Sequence, residues 1–185
     1  MKKLFCIALL ALATGCSTPA GKETTTVVKD SMAAAPAATE KIEYPYTLPR
    51  PYQNWQAGNQ QHVVTVLKSL KAYETGDVTA AVTAFADSAE LRFDYYHAKL
   101  SNDSLKKIFT QMRAGITSMT IDMQDWEPVI SSDKKEEWVT MWYKQKWTDK
   151  KGKTDSMNVI DDTKMVNGKI AILDEKIQHY PVTKK

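Results

Sequence analysis

The sequence predicts an α+β domain in which helices come first and an antiparallel sheet comes last. Between residues 60 and 114, apolar residues recur at three- and four-residue steps, the spacing of amphipathic helices. After Gly115 the spacing changes to two, the period of a half-buried strand, and it stays there. Asn167-Gly168 adds a strong two-residue hairpin signal. Helices followed by a strand meander are typical of helices packed on one face of a curved sheet.

The N-terminus has the pattern of an export signal. Two lysines precede an apolar stretch of about ten residues, which is too short to span a bilayer as a helix because that needs about 20 residues. The following Ala13-Thr14-Gly15-Cys16 resembles the bacterial lipoprotein motif, although Ala13 stands where that motif usually has Leu. The resemblance implies that residues 1–15 are removed. Acylated Cys16 would then hold the chain on the cell membrane or outer membrane, facing the periplasm. Ordinary cleavage after Ala13 is the alternative.

Composition excludes several classes of function. Cys6 would leave with the signal and Cys16 would carry lipid, so the domain would have no thiol for a disulfide, a nucleophile or a metal. His62, His97 and His179 lack metal-ligand spacing, and no phosphate loop or dinucleotide fingerprint occurs, so we expect no metal and no cofactor. Loss of the two signal lysines lowers the formal charge from +3 to about +1, so we expect no nucleic-acid partner.

A tether is predicted between the signal and the domain. Residues 16–53 contain five of the seven prolines and an alanine-rich stretch, and they show no lasting amphipathic period. Such a segment buries too little apolar surface to offset its chain entropy, so we expect disorder. Residues 54–185 are then the domain.

Three helices are predicted. The first spans Gln60–Thr75, with Gly76 placed to end it in the left-handed conformation and Asp77 placed to cap the next. That next helix is short, at 78–85, and rich in alanine. A third is predicted at 103–114.

One strand is predicted before the third helix and four are predicted after it. The strand before the helix covers 90–96, with Leu91, Phe93 and Tyr95 on one face. The meander then has four strands, whose predicted positions are 119–124, 137–148, 154–166 and 169–180.

The order of these elements and their connecting motifs resembles the nuclear transport factor 2-like (SnoaL-like) superfamily. The motifs are Tyr73-Glu74-Thr75-Gly76-Asp77, Phe85-Ala86-Asp87-Ser88-Ala89 and Asn167-Gly168-Lys169-Ile170, and the match covers about residues 60–180. The resemblance implies a cone-shaped, curved antiparallel sheet wrapped around a long N-terminal helix, with a pocket at its open end. Many members dimerise through the outer face of the sheet. Because the superfamily includes isomerases, cyclases, dehydratases and members without a known reaction, it predicts shape better than chemistry.

The steroid-isomerase branch of that superfamily provides a test for catalysis. It uses a carboxylate base, and a tyrosine and a protonated aspartic acid that stabilise the enolate. Matching the motifs places Phe93 at the base position and Ser69 at the tyrosine position, and a phenyl ring cannot accept a proton. Only Asp161 falls near the position of the acid. The sequence therefore argues against this reaction and leaves enzymatic activity open, with a non-catalytic protein favoured.

Asp161 interrupts an otherwise mostly apolar strand face. An acid on such a face costs several kcal/mol unless it is paired or protonated. One interpretation is a pocket acid with a raised pKa; the other is a local twist of the sheet that leaves Asp161 solvated beside Asp162.

The strand at 137–148 is aromatic on both faces. Matching the hairpin to the family places Tyr143 and Trp147 inward, and places Trp138 and Trp142 on the outer face. We expect these two indoles to form an exposed patch that a second subunit, in a homodimer, or the tether tyrosines cover.

Three functional hypotheses follow from the sequence. The first is an exported, lipid-anchored binding domain whose mostly apolar pocket, formed by Tyr95, Tyr143, Trp147 and Asp161, takes up a small hydrophobic molecule. The second is a lyase, cyclase or isomerase with Asp161 and Tyr143 as acid-base groups. The third is an envelope scaffold that binds protein through its outer sheet face, for which an interior filled by side chains would be evidence.

Overall fold

The computed structural model of the chain describes residues 43–48 and 54–179. Residues 43–48 contain no helix or strand and are exposed. The predicted signal peptide, the lipidation site at Cys16 and most of the predicted tether lie outside the described residues. No helix in the described part of the chain is long and apolar enough to cross a membrane.

The domain contains three helices and one seven-stranded sheet, as far as the described residues extend. The elements are β1 (Gln56–Ala57), α1 (Gln60–Thr75), α2 (Val78–Val82), β2 (Phe85–Phe93), β3 (Tyr96–Ser101), α3 (Asn102–Ala114), β4 (Ile116–Ile130), β5 (Glu137–Asp149), β6 (Thr154–Val166) and β7 (Lys169–His179). The strand order is β1-β4-β5-β6-β7-β2-β3, and the sheet is curved and unclosed. The predicted α+β class and the four-stranded meander are confirmed. The sheet is mixed, not purely antiparallel, because β2 and β7 pair in parallel.

The helix boundaries follow from their caps. The side chain of Asn59 accepts a hydrogen bond from the backbone N–H of Gln61 at the start of α1. Gly76 ends this helix with φ of 91°, a left-handed conformation that glycine adopts without a Cβ penalty. Asp77 caps α2 by accepting from the N–H of Ala80 at 2.9 Å. Both predicted roles are therefore confirmed.

Three predicted elements differ in extent. The strand predicted at 119–124 is β4, which extends further at both ends and covers Ile116–Ile130. The short helix ends at Val82 instead of residue 85, because Phe85 already pairs with Ile170 of β7. The predicted strand at 90–96 is a hairpin, in which β2 turns at Asp94 and Tyr95 into β3. A parallel partner about 80 residues away in sequence sets where β2 begins, and local periodicity cannot reveal such a partner.

The core lies between the helices and the concave face of the sheet. Val63 and Val66 of α1 are buried against this face, and Leu67, Leu70 and Tyr73 are partly buried beside them. Phe109 of α3 makes edge contacts with the rings of Tyr73 at 5.4 Å and Phe85 at 5.7 Å between centroids. These contacts hold α1 and α3 against the sheet. Register shifts in β4 and between β6 and β7 mark bulges, which bend a sheet locally.

The outer face of the sheet corrects one sequence prediction. Trp138 and Trp142 lie on this face as predicted, but both are half-buried, so the expectation of two exposed indoles is wrong. The ammonium of Lys164 lies 5.7 Å from the centre of the Trp138 ring, and the indole N–H of Trp138 donates to Glu136 at 3.0 Å. Long side chains of neighbouring strands cover apolar surface in this way while their charged ends stay in water.

Candidate functional site

A cavity of about 90 Å³ lies between α1, α3 and the concave face of the sheet. Most of its wall is apolar or aromatic, with Phe93 from β2, Phe109 from α3 and Met157 from β6 among the lining residues. Its polar groups come mainly from three adjacent strands, β5, β6 and β7. This composition, an apolar wall with a few convergent polar groups, is that of a small-molecule site.

Asp161 is one of these polar groups. It lies on β6 and its residue surface is 3% exposed, which contradicts the interpretation that it is solvated beside Asp162. The hydroxyl of Tyr143 donates a hydrogen bond to its Oδ2 at 2.8 Å. Its Oδ1 is buried and has no hydrogen-bond partner among the described residues. Burial raises the pKa of Asp161 from 3.8 to about 7, although the hydrogen bond from Tyr143 opposes this shift.

Glu175 forms the second half of a carboxyl pair that sequence reasoning missed. It lies on β7 directly opposite Asp161 in the antiparallel register, and it also lines the cavity. Opposite side chains in such a ladder have Cβ atoms about 4.5–5.5 Å apart. Burial, and next the charge of Asp161, raise the pKa of Glu175 from 4.5 to about 8. The two carboxyls therefore keep a proton to higher pH than isolated carboxyls do.

A bulge in β7 explains why Glu175 faces inward. Met165 pairs with Ile170 and Lys164 pairs with Ile172, so Ala171 has no opposite residue. Unbroken alternation from buried Ile170 would place Asp174 inward; the extra residue turns Glu175 inward instead. The apolar residues that alternate on both sides of Glu175 could have indicated that its side chain faces inward. This alternation does not reveal the bulge.

Two tyrosines complete the polar part of the cavity. Tyr143 is 2% exposed, and burial raises its pKa well above 10. Burial also raises the pKa of Tyr73 on α1 to about 12. Both phenols are therefore neutral O–H donors at physiological pH. Thr163, beside Asp161 on β6, contributes a buried hydroxyl without a partner among the described residues.

The structure brings together only part of the pocket predicted from sequence. Asp161 and Tyr143 meet in the cavity, whereas Tyr95 and Trp147 do not line it. Tyr95 is 91% exposed because it lies in the turn between β2 and β3. Trp147 has the predicted inward parity, but it pairs with Asp155 near the far end of β5, beyond the cavity.

The positions compared with the isomerase branch are occupied as expected. Phe93 lines the cavity with a phenyl ring and supplies no base. The hydroxyl of Ser69 donates to the carbonyl of Ala81 at 2.8 Å, so it links α1 to α2. Within the described residues, no group of three or more His, Cys, Asp and Glu is arranged to hold a metal ion.

The carboxyl pair generates a prediction about stability. Because both pKa values are raised, the folded chain binds more protons than the unfolded chain between about pH 4 and pH 8. The pair's contribution to the free energy of unfolding is therefore full below pH 4 and is lost as the pH rises to 8. Asp161→Asn should make this decline shallower by roughly 1–3 kcal/mol between pH 5 and pH 8, since one pKa unit corresponds to about 1.4 kcal/mol.

Urea unfolding at pH 5, 6.5 and 8 measures this difference. The matched control is Asp162→Asn, because Asp162 faces the other side of β6, where Lys176 at 2.7 Å and Thr140 at 2.6 Å contact it. The control should change the pH slope much less than Asp161→Asn does, because it removes only one of the weaker influences that raise the pKa of Asp161. Equal slopes in the original chain and the Asp161→Asn variant would show that Asp161 has no raised pKa.

Comparison with known proteins identifies the fold. No protein-family model matches the sequence, and no curated protein matches it. Among solved structures, a nuclear transport factor 2-like protein of unknown function from Burkholderia pseudomallei superposes with a TM-score of 0.53 at 12% identity, covering 64% of this chain and 91% of that one.

Two further solved structures are also similar. AusH from Aspergillus nidulans gives a TM-score of 0.54 at 15% identity, covering 66% of this chain and 87% of that one. An epoxide hydrolase from M. tuberculosis, of the LEH-like type, gives 0.51 at 11% identity, covering 64% and 84%. Identities this low establish shape and not activity. The domain therefore has the nuclear transport factor 2-like, or SnoaL-like, fold: a curved sheet with helices on its concave face.

Proposed function

We propose that this chain is an exported, lipid-anchored binding protein whose cavity holds a small, mostly apolar molecule through the Asp161–Glu175 carboxyl pair. One observation supports this most strongly: Oδ1 of Asp161 is buried, has no partner among the described residues, and belongs to a residue that lines the cavity. A polar group buried without a hydrogen bond costs about 1–3 kcal/mol, and a ligand that supplies the missing bond recovers this energy.

The volume of the cavity limits the size of that molecule. About 90 Å³ is below the 300–1,000 Å³ of a typical drug-sized site, and a water molecule occupies about 30 Å³. The buried part of the ligand is therefore a small group. Met112 of α3 lines the cavity and is 42% exposed, so it lies at the rim. Methionine side chains adapt easily, so Met112 can move to admit a longer molecule.

An acid-base enzyme of the lyase, cyclase or isomerase type is the second candidate. The favouring observation is a carboxyl with a pKa of about 7 that contacts a tyrosine hydroxyl and faces a second carboxyl. A general acid or base works best when its pKa is close to the ambient pH. The similarity to an LEH-like epoxide hydrolase supports the idea that this fold can support enzymatic activity.

A scaffold without a pocket has less support. An interior filled by Met and Trp side chains would have supported a scaffold, but a cavity of about 90 Å³ is present and its described lining residues include no Trp. The homodimer remains a prediction, and the half-burial of Trp138 and Trp142 removes the large exposed patch on which it was based.

The two leading candidates differ in what they predict for Asp161→Asn. If the chain is an enzyme, this variant should lower turnover of the molecule that co-purifies with it by about 10²–10⁴-fold, far more than it weakens binding. If the chain only binds, that molecule should leave the protein chemically unchanged. Mass spectrometry of the molecule before and after incubation with the protein distinguishes the two outcomes.

Filling the cavity should abolish binding. Leu173→Phe adds bulk to the wall, since Leu173 faces Thr163 inside the cavity, and it should reduce the co-purifying small molecule at least about tenfold. Native mass spectrometry of the full chain measures the bound fraction. The matched control is Ile172→Phe, which adds the same bulk on the opposite face of β7, where Ile172 pairs with Lys164. Equal occupancy in both variants would place the ligand elsewhere.

The proposed anchor can be tested at Cys16. Cys16→Ser removes the thiol that would be acylated, so the chain should move from the membrane fraction to the soluble fraction and should lose label from radioactive palmitate. Cys6→Ser is the control, because Cys6 lies within the predicted signal and should leave both readouts unchanged. Label that persists in the Cys16→Ser chain would contradict lipidation at this position.

A further inference from the structure

We propose that the group which the carboxyl pair selects is a small organic ammonium, so that the ligand is a primary or secondary amine with a short apolar body. This inference rests on the proposed binding function and names the chemistry of its ligand. It is carried by the charge of the cavity wall, by the unpartnered oxygens in it and by its aromatic rings.

The charge of the wall favours a cation. Asp161 and Glu175 line the cavity, and no lysine, arginine or histidine is among the lining residues that the structure describes. A carboxylate or phosphate ligand would meet two acids and no counter-ion, which is unfavourable in a site of low dielectric. An ammonium ion instead supplies the positive charge that the two acids lack.

The unpartnered atoms match the donors of an ammonium. Tyr143 already donates to Oδ2 of Asp161, while Oδ1 and the hydroxyl oxygen of Thr163 have no partners among the described residues. Both atoms can accept a hydrogen bond. An ammonium has several N–H donors and no acceptor, and its hydrogen bonds to a carboxylate are about twice as strong as neutral ones. The single O–H group of an alcohol could donate to only one of these atoms.

The aromatic wall suits the rest of the ligand. Rings of Tyr73, Phe85, Phe93 and Phe109 line the cavity. Their faces attract cations electrostatically, and their area covers an aliphatic chain. A ligand that presents a neutral acceptor, such as a ketone, would use the same rings but would require a protonated Asp161 as donor. The affinity for an ammonium and the affinity for a neutral acceptor therefore change with pH in opposite directions.

How the affinity for a ligand changes with pH depends on the charged and titratable groups near the carboxyl pair. Tyr143 from β5 and Tyr73 from α1 face it, and both stay neutral because burial raises their pKa values. The charged groups acting on the pair from further away are Asp94 from the β2–β3 turn, and Asp162, Asp174 and Lys176 from the outer face of β6 and β7. Raising the pH from 6 to 8 ionises the carboxyl pair. Affinity for an ammonium should then rise, and affinity for a neutral acceptor should fall.

The test compares two probes of equal shape, isobutylamine and isobutanol, with the full chain purified in detergent. The amine is protonated at neutral pH and the alcohol is uncharged. The difference between their affinities therefore measures the effect of the positive charge. Chemical shifts of ¹³C-labelled methionine methyls report binding, since Met112, Met141 and Met157 line the cavity. We expect the amine to bind at least about tenfold more tightly than the alcohol at pH 7.5, with affinity that increases between pH 6 and pH 8.

Two further measurements test the role of the carboxyl pair, and the first of them needs no variant. Calorimetry of the original chain in buffers of different ionisation enthalpy should show net proton release when the amine binds, because the carboxyl pair gives up its proton. Asp161→Asn should weaken amine binding about tenfold, whereas the control Asp162→Asn should change it less than about twofold, since Asp162 contacts Lys176 on the other face.

The possible failures are distinguishable. If isobutanol binds as tightly as the amine, or if affinity for the amine falls as the pH rises, the cavity binds ligands but the ammonium inference is wrong. If neither probe shifts the methionine signals and native mass spectrometry finds no bound molecule, the proposed binding function fails as well. Amine binding that Asp161→Asn and Asp162→Asn weaken equally would overturn the assignment to the carboxyl pair.

Discussion

The central constraint in this structure is the burial of a carboxyl group on the concave face of the sheet. Asp161 has one oxygen bonded to Tyr143 and one oxygen without a partner among the described residues, in a wall otherwise made mostly of apolar and aromatic side chains. Desolvation raises its pKa, and the same desolvation raises that of Glu175 across the ladder. Burial therefore disfavours the ionised form of both carboxyls, and the proposals place ligand recognition at this pair for that reason.

The opposite face of the same strands shows how strongly position determines the behaviour of a carboxyl. Asp162 follows Asp161 directly, yet it accepts a hydrogen bond from Thr140 and pairs with Lys176. Lys176 also pairs with Asp174, and Arg92 continues the row at 3.8 Å from Asp174. This row of alternating charges is solvated and contributes little to stability pair by pair. Among the described residues, the cavity wall contains two acids and no lysine, arginine or histidine, whereas the outer face has both signs of charge.

The fold is established by comparison with solved structures, whereas the proposed chemistry rests on the side chains in the cavity. Structural neighbours at 11–15% identity share the fold, and they range from a protein of unknown function to an epoxide hydrolase. Such a range shows that the fold supplies a shape in which different side chains can be placed. For this chain the proposals rest on the side chains of Asp161, Glu175 and Tyr143, not on the neighbours.

Local sequence patterns determined most of the secondary structure. The helical period and the caps at Gly76 and Asp77 predicted α1, and the period of two predicted the four strands of the meander, because these signals depend on residues a few positions apart. The inward position of Asp161 was predicted only as one of two alternatives, since an acid on an apolar face can be solvated by a twist. Tertiary structure decided this question. It also set the parallel pairing of β2 with β7, the half-burial of Trp138 and the inward turn of Glu175. Each of these depends on a partner strand or on a bulge whose position is set by long-range register, and a periodic pattern read along one strand contains no information about its neighbour.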